Sequence, residues 1–398
     1  MSREKRIELI KNIEEKRNSK VISYITSDRK NCSNQINMDA ISIIHDHLLQ
    51  LNSENNNKLD LFIYSKGGET DVPWTLVSMF REYSHKGSFN VLIPYRAHST
   101  ATLISLGADE VVMTKKGELA PVDATIEAGP YNPVDKNIYN QLPVSVEDIN
   151  GFFALLDRVG CERSNEKIEG FKQLTEKVHP LALGAVNKLL DETKLICLRL
   201  LNSRTRSFSE EDNSEIIKKL YSEIYSHNHT INRTEANRYL GLRHVKNAET
   251  LEIDKELWDL YLEYKELFKL EKPFQPEEYL VANDLEENSW DDIPTACIES
   301  INRFDLYRQS IKVKRLRNIP PKVTINLSKI KLPQINITDL PNQYNIQEIN
   351  QIFQNAAQDV IQTVLNKTSK KVAEEFTRSL PQRGFEHIIY NSGWKKEH

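Results

Sequence analysis

Short apolar runs alternate with amphipathic segments over the first third of the chain, and this alternation restricts the fold more than any other feature. The apolar runs are rich in β-forming residues and cover 21–26, 59–64, 89–94 and 110–113. The segments between them have apolar residues at helical spacing and cover 38–51, 73–83 and 101–108. Parallel strands joined by helical crossovers produce this β-α-β-α-β order, so we expect an α/β fold.

The composition of the chain changes near residue 270. Up to that point, helical patterns with many charges continue through 151–202 and 254–271. Seven prolines and short β-like fragments follow in 272–345, and a long amphipathic helix is predicted over 346–380. We therefore divide the chain into 1–270 and 271–398. We expect the second part to be a proline-rich linker followed by a largely helical region for oligomerisation or partner docking.

Composition also limits the class of protein. A net charge of -4 disfavours a main role in binding nucleic acid or a membrane surface. The four cysteines are widely spaced and form no CxxC pair, so we expect no metal site, and the sequence suggests no cofactor. No apolar run approaches the roughly 20 residues of a membrane-spanning helix, and the charged start of the chain does not resemble a signal peptide. A cytoplasmic location is therefore predicted.

Two adjacent glycines, Gly67 and Gly68, follow the apolar run 59–64. Glycines at the end of a strand are typical of a turn, because glycine adopts a positive φ at little cost. The same pair is also suited to an oxyanion hole, where backbone N–H groups must approach a substrate closely without an intervening side chain. The glycines alone leave both interpretations open.

Ser99 stands where a strand ending near Pro94 gives way to a buried helix rich in small residues. A serine at this place is suited to capping the helix. A serine nucleophile also benefits there, because a helix N-terminus favours developing negative charge. These residues taken alone favour the cap.

The motifs around both features resemble the Clp/crotonase superfamily, and within it the serine dehydrogenase proteinase family, which is related to signal peptide peptidase A. The matching residues are 65–68, 97–102, 108–113 and 119–123. The resemblance covers about residues 1–250 and is most specific over 59–123. It implies a ββα superhelix as the fold and peptide-bond hydrolysis by a serine peptidase as the activity.

The resemblance implies a role for several residues. Ser99 would be the nucleophile, the N–H groups of Gly68 and Thr100 would form the oxyanion hole, and Gly67 would shape the turn. Two residues depart from the family pattern. Lys66 replaces a proline, and Thr100 replaces a small alanine and would narrow the pocket. The substrate-binding residues stay unknown at this stage.

The family pattern leaves two kinds of base open for the activation of Ser99. Clp proteases have a histidine about 25 residues after the serine and an aspartate before a later helix, whereas this chain has Asp123 at the first place and His227 at the second, with His229 nearby. The resemblance therefore implies Ser99, His227 and Asp123 as the triad, with the last two exchanged in chain order. A lysine base is the alternative, with three candidates: Lys136, Lys172 and Lys177.

The resemblance further implies a homo-oligomer that acts on peptides or unfolded proteins. The chain has no P-loop pattern, so any unfolding would need a separate ATPase partner. Two other functions stay open. One is a non-catalytic Clp-fold scaffold, and the other is a crotonase-type acyl-CoA enzyme, against which the serine at the helix start argues.

Overall fold

A computed structural model describes the chain over 3–51, 58–84, 88–122, 125–135, 141–161, 163–223, 229–318 and 346–397. The chain divides into two compact units. The first consists of Met1–Phe274, Asp292–Gln309 and Asn391–His398, and the second of Gln275–Asp291 and Ser310–Tyr390. No helix in the described ranges combines the length and the hydropathy that a membrane crossing requires.

The described ranges contain α-helices of very different lengths. They are α1 (Arg3–Arg17), α2 (Ala40–Leu51), α3 (Val72–Tyr83), α4 (Thr100–Leu106), α5 (Val146–Arg158), α6 (Ser164–Lys177), α7 (Pro180–Asn202), α8 (Glu210–Lys218), α9 (Arg233–Arg238), α10 (Asp254–Phe268), α11 (Pro276–Ala282) and α12 (Ile346–Ser379). A π-helical turn, Lys219–Glu223, follows α8, and a 3-10 turn, Ala248–Leu251, precedes α10.

The strands are short except at the C-terminal end of the chain. They are β1 (Lys20–Thr26), β2 (Asp28–Arg29), β3 (Cys32–Ser33), β4 (Leu59–Tyr64), β5 (Phe89–Ile93), β6 (Arg96–Ala97), β7 (Glu110–Met113), β8 (Glu118–Leu119), β9 (Thr125–Ile126), β10 (Val144–Ser145), β11 (Ile231–Asn232), β12 (Val245–Asn247), β13 (Glu287–Glu299), β14 (Phe304–Arg317) and β15 (Gln382–Glu397).

A central sheet has the strand order β12-β7-β5-β4-β1-β13-β14-β15. The five strands from β12 to β1 are parallel, and β13 joins them as an antiparallel neighbour of β1. All six residues of β4 are buried. Parallel strands covered on both faces read as continuous apolar runs, which is why the sequence marks β4 so clearly.

Successive residues of the parallel strands enter two different cores. Leu61 and Ile63 of β4 pack with residues of α2, α3, α4 and α7 on one face, while Phe62 and Tyr64 pack with residues of α1 and α10 on the other. The parallel part of the sheet therefore has helices packed on both faces. This arrangement confirms the predicted α/β class.

The C-terminal strands β13, β14 and β15 were not predicted. The sequence of β13 contains Pro294 and the acidic pair Asp291 and Asp292. A proline or a pair of charges usually argues against a strand, so the pattern did not indicate one. Asp292 has a positive φ of 53°, which marks a local irregularity in this strand. The predicted helix over 346–380 is confirmed as α12. The β-like fragments expected within 319–345 lie outside the described residues.

Candidate active site

The segment after β4 lies directly against the segment that leads to Ser99. The N–H of Ser65 donates to the carbonyl of Arg96 at 3.0 Å, and the N–H of His98 donates to the carbonyl of Ser65 at 3.0 Å. These bonds form one isolated parallel bridge between Ser65 and Ala97. The two stretches that the family resemblance links are therefore neighbours in space.

Both glycines are required by close approach of the backbone. Gly67 has a φ of +119°, and a Cβ there would lie 2.8 Å from the Cβ of Ser99. A Cβ on Gly68 would lie 2.0 Å from the carbonyl oxygen of Ile36. A side chain at position 67 would therefore clash with Ser99, and one at position 68 would clash with the backbone that leads into α2.

The backbone of Ser99 is strained. Its φ is 51° and its ψ is -114°, a combination that costs a non-glycine residue on the order of 1–3 kcal/mol. Ser99 directly precedes α4, but its side chain makes no capping hydrogen bond. A strained serine between a strand and a helix is the arrangement that presents a nucleophile to a substrate. The geometry thus disfavours the helix cap that the residues alone favoured.

The hydroxyl of Ser99 is half-buried and makes no hydrogen bond to another described residue. The neighbouring His98 is held elsewhere, because its Nε2 lies 3.1 Å from Oε1 of Glu118. Glu118 also pairs with Arg96, with 3.3 Å between Nε and Oε1. His98 therefore belongs to a polar cluster with Glu118 and Arg96.

The two proposed oxyanion donors differ in their hydrogen bonds. The N–H of Gly68 donates to Oγ1 of Thr100 at 3.0 Å, and the same hydroxyl donates to the carbonyl of Gly68 at 2.7 Å. The N–H of Thr100 has no partner among the described residues, as is usual for the first residue of a helix. The oxyanion hole stays a prediction, with one donor available and the other engaged by a buried side chain.

A small sheet with the order β11-β8-β6 organises the chain around Ser99. Strands β6 and β8 are parallel, and β8 and β11 are antiparallel. The ends of β6 and β8 and the start of β11 therefore lie at one edge. Ser99 comes two residues after β6, Asp123 four residues after β8, and His227 four residues before β11. Asp123 and His227 themselves lie outside the described residues.

The other candidate bases that the structure describes have partners or lie exposed. Nε2 of His229 is 2.7 Å from Oε1 of Glu235, and Nζ of Lys172 is 3.1 Å from Oε2 of Glu169. Lys177 is exposed on α6, and Lys136 lies outside the described residues. Among the described residues, none of these candidates contacts Ser99.

Buried hydroxyl groups that the sequence did not single out form hydrogen bonds with the backbone next to Gly67 and Ser99. The hydroxyl of Ser65 accepts hydrogen bonds from Oγ1 of Thr26 at 2.7 Å and from the N–H of Gly67 at 3.0 Å. The single hydroxyl proton of Thr102 is shared between the carbonyls of Ala97 and Ala120, at 2.8 and 2.9 Å, which connects the ends of β6 and β8. A second threonine, two residues after Thr100 in a short buried helix, is the signal that could have identified Thr102.

Comparison with known proteins places these residues in a family context. Residues 1–158 match the model of the ClpP-like SDH-type serine proteinase family. This match confirms the resemblance inferred from the motifs over those residues. It includes Ser99 and both glycines and ends before His227.

One curated relative and two solved structures are similar to the chain. An uncharacterized protein of Methanocaldococcus jannaschii is 29% identical over 142 residues, which are 34% of this chain and 48% of the relative. The chain thus spans about half the length of that relative. The ClpP protease catalytic domain from Plasmodium falciparum is 13% identical, with 62% of this chain and 91% of that chain covered and a TM-score of 0.32. A membrane-bound stomatin-specific protease in complex with a substrate peptide is 13% identical, with 57% and 75% covered and a TM-score of 0.30.

Proposed function

We propose that this protein is a serine peptidase that cleaves peptide bonds through an acyl-enzyme on Ser99. The observation that carries the proposal is the strained backbone of Ser99, with no capping bond and with Gly67 directly against it. Strain of this kind persists only where surrounding structure holds it, and it is common at active sites. The family match over residues 1–158 supports the same activity.

In the proposed reaction, Oγ of Ser99 attacks the carbonyl carbon of the scissile bond while a base takes its proton. The N–H of Thr100 donates to the resulting oxyanion. The N–H of Gly68 joins it after exchanging its bond to the Thr100 hydroxyl for one to substrate. The base then returns the proton to the leaving amine, and water releases the acyl group by the reverse sequence.

We propose His227 as this base and Asp123 as the residue that orients it. The arrangement of β6, β8 and β11 supports this assignment, because the chain reaches both residues from the edge at which Ser99 lies. Adjacent strands are about 4.8 Å apart, so side chains from three neighbouring strand ends can contact each other. The bond of His229 to Glu235 supports His227 over His229.

Labelling with a fluorophosphonate tests the nucleophile. We expect the unchanged chain to be labelled at Ser99 and Ser99→Ala to be unlabelled with its fold retained. Ser42→Ala is the matched control, because Ser42 is an exposed serine on α2 that only bonds the carbonyl of Asp39. Equal labelling of Ser99→Ala and the unchanged chain would contradict the proposal.

A pair of histidine variants tests the base. His227→Ala should lose labelling and cleavage, whereas His229→Ala should keep both. The pH profile separates a histidine base from a lysine base, because a histidine loses activity as the pH falls through about 6.5 and a lysine at a higher pH. Full activity in both histidine variants would contradict a histidine base and would move the assignment to a lysine.

We also propose that the peptidase is a homo-oligomer acting on peptides or unfolded chains, with a separate ATPase where unfolding is needed. Large apolar side chains exposed on α5, α6 and α7 and directly after α5 support an interface: Leu155, Val159, Ile168, Phe171, Leu181 and Leu195. Light scattering of the purified protein tests the assembly. A monomer at all concentrations that fully degrades folded substrates would contradict both parts.

A non-catalytic scaffold is the second candidate. The bond between the Gly68 N–H and the Thr100 hydroxyl favours it, because this bond occupies an oxyanion donor. Intact oligomers that no serine-directed reagent labels would select the scaffold.

A further inference from the structure

A second concave site lies on the first unit, at the edge of the central sheet away from Ser99. It is a cavity of about 620 Å³ at the amino-terminal ends of β4, β5, β7 and β12. Lys58, Ser88, Asp109 and His244 line it, and each directly precedes one of these strands. Ser99 instead lies beyond the carboxyl ends of the same strands, so the cavity takes no part in the proposed peptidase chemistry.

Positive charge predominates around this cavity. Five cationic side chains line it: Lys58, Arg204, Arg206, Arg243 and Lys246. The lining also contains two carboxylates, Asp109 and Glu110, but both are bound by arginines outside the lining. Asp109 accepts two hydrogen bonds from Arg81, at 2.8 and 3.1 Å, and Glu110 accepts one from Arg17 at 2.8 Å. Among the lining cations, Arg243 pairs with Asp212 at 3.3 Å, and Asp109 also acts on Arg204, so the net positive charge of the lining is reduced but not cancelled.

Two of the lining side chains are buried and have polar atoms without partners. Arg204 is 8% exposed, and its Nε donates to the carbonyl of Ala108, but its Nη1 has no hydrogen-bond partner among the described residues. His244 is 6% exposed, and neither ring nitrogen makes a well-formed hydrogen bond to another described residue, although a backbone group of Ser105 lies near the ring. Buried donors without partners are rare in native proteins because each costs about 1–3 kcal/mol.

The aromatic ring of Phe208 holds these two groups in place. The guanidinium of Arg204 lies 4.3 Å from the centroid of this ring, and the ring of His244 lies 5.7 Å from it. Arg204 is thus fixed by one hydrogen bond and one ring contact, which leaves Nη1 as a preorganised donor. A fixed guanidinium loses little further conformational freedom when it binds an anion.

The pKa values of both groups are lowered, and burial is the main cause in each case. Burial and the adjacent Arg204 lower the pKa of His244 to about 3, although a nearby backbone group of Ser105 opposes the shift. Burial also lowers the pKa of Arg204 to about 10, although Asp109 opposes it. A bound anion would stabilise the charged form of both groups.

We propose that this cavity binds a small phosphorylated molecule, with Nη1 of Arg204 and the neutral imidazole of His244 donating to phosphate oxygens and Arg206 and Lys246 contributing charge at the rim. Guanidinium groups match phosphate geometry and form charge-assisted hydrogen bonds with it. The volume lies within the range of small-molecule sites and exceeds what one inorganic phosphate fills. The ligand therefore has a phosphorylated group and an additional organic part.

Calorimetry on the full chain with four probes tests the proposal: inorganic pyrophosphate, adenosine diphosphate, a hexose bisphosphate and uncharged adenosine. We expect the phosphorylated probes to bind and adenosine not to bind. A difference between adenosine diphosphate and hexose bisphosphate identifies the organic part. Failure of every phosphorylated probe at millimolar concentration would overturn the proposal. A short oligonucleotide is the competitor, and tighter binding of it than of any small probe would also overturn the proposal, since it would assign the surface to nucleic acid.

Matched variants place the binding in this cavity. Arg204→Gln should weaken the bound probe by roughly tenfold or more, as expected for a lost charge-assisted hydrogen bond. Arg206→Gln at the exposed rim should weaken it by about threefold and keeps the test valid if Arg204→Gln does not fold. Arg158→Gln on α5, outside the cavity, is the control. Equal affinity of Arg206→Gln and Arg158→Gln, together with no loss in a folded Arg204→Gln, would contradict the assignment.

Discussion

Two serines of the first unit differ: Ser300 lies in a buried Ser-His-Asp arrangement, and Ser99 is the proposed nucleophile. Ser300 bonds Nδ1 of His47 at 2.8 Å, and Nε2 of His47 bonds Asp305 at 3.0 Å. These residues have the types and distances of a Ser-His-Asp triad. However, Ser300 and His47 are 0% exposed and Asp305 is 1% exposed, so no substrate reaches them. Their positions, on α2 and around the β13–β14 connection, indicate a structural role.

Ser99 has the opposite properties. It has no hydrogen-bonded histidine among the described residues, but it is half-buried rather than buried, and its backbone is strained. The turn at Ser300 lacks such strain, since its φ is not positive. The comparison teaches that residue types and distances alone do not mark a nucleophile, since the buried Ser300 has them; the proposal for Ser99 depends on access and backbone geometry instead.

The largest expected effect separates the two serines by activity. Ser99→Ala should reduce peptide cleavage by roughly 10⁴-fold or more, because loss of a nucleophile removes the acyl-enzyme route. Ser300→Ala should keep the rate and instead lower the free energy of unfolding by about 1–3 kcal/mol, since His47 loses a buried partner. Turnover measurements and denaturant titrations on both variants test this. Loss of activity in a folded Ser300→Ala would reverse the comparison.

The next effect tests whether close backbone contact holds the Ser99 site. A methyl group on Gly68 would lie 2.0 Å from the carbonyl oxygen of Ile36, so Gly68→Ala should lower the free energy of unfolding by about 3 kcal/mol and reduce labelling at Ser99. Gly184→Ala on α7 is the matched control, because nothing lies within 4 Å of its Cβ position. We expect that control to be neutral or up to about 1 kcal/mol more stable. Similar stabilities of the two variants would contradict the proposed packing.

Sequence patterns predicted the strands around Ser99 better than the conformation of Ser99 itself. Parallel strands such as β4 and β7 were predicted because their residues are buried on both faces and form apolar runs. The importance of Ser99 came from the family motifs, since nothing in the residues alone signals a positive φ in a serine. The residues themselves favoured a helix cap, and only the geometry argues against it.

Long-range contacts account for what the sequence did not indicate. The Ser300 network joins residues more than 250 positions apart, and no local pattern connects His47 with Asp305. Strand β13 was not predicted because Pro294 and the nearby acidic residues break the alternating apolar pattern of a strand. The bond between Gly68 and Thr100 depends on the pairing of two loops. Whether Asp123 and His227 complete the site stays a prediction.

The pH dependence of stability should reveal the buried histidine. Burial lowers the pKa of His47 below its ordinary 6.5, although the hydrogen bond to Asp305 opposes the shift. The unfolded chain therefore binds a proton first as the pH falls, and stability decreases below about pH 6.5. His47→Gln should be less stable at pH 7 but should lose stability more slowly, by up to about 1.4 kcal/mol per pH unit. Parallel slopes for both proteins would show that His47 does not titrate as proposed. His244 adds the same trend down to about pH 3 in both proteins.

The smallest expected effect concerns the residue that engages the Gly68 N–H. Thr100→Ala removes the buried hydroxyl and leaves this N–H available to an oxyanion, whereas Thr100→Ser keeps a hydroxyl and is the matched control. The rate of fluorophosphonate labelling at Ser99 should rise about two- to tenfold in Thr100→Ala, which corresponds to one ordinary hydrogen bond of about 0.5–1.5 kcal/mol. Labelling of Thr100→Ser should match the unchanged chain. A slower rate in Thr100→Ala would mean that the hydroxyl positions Gly68 for catalysis, and the access that distinguishes Ser99 from Ser300 would then depend on Thr100 holding this turn.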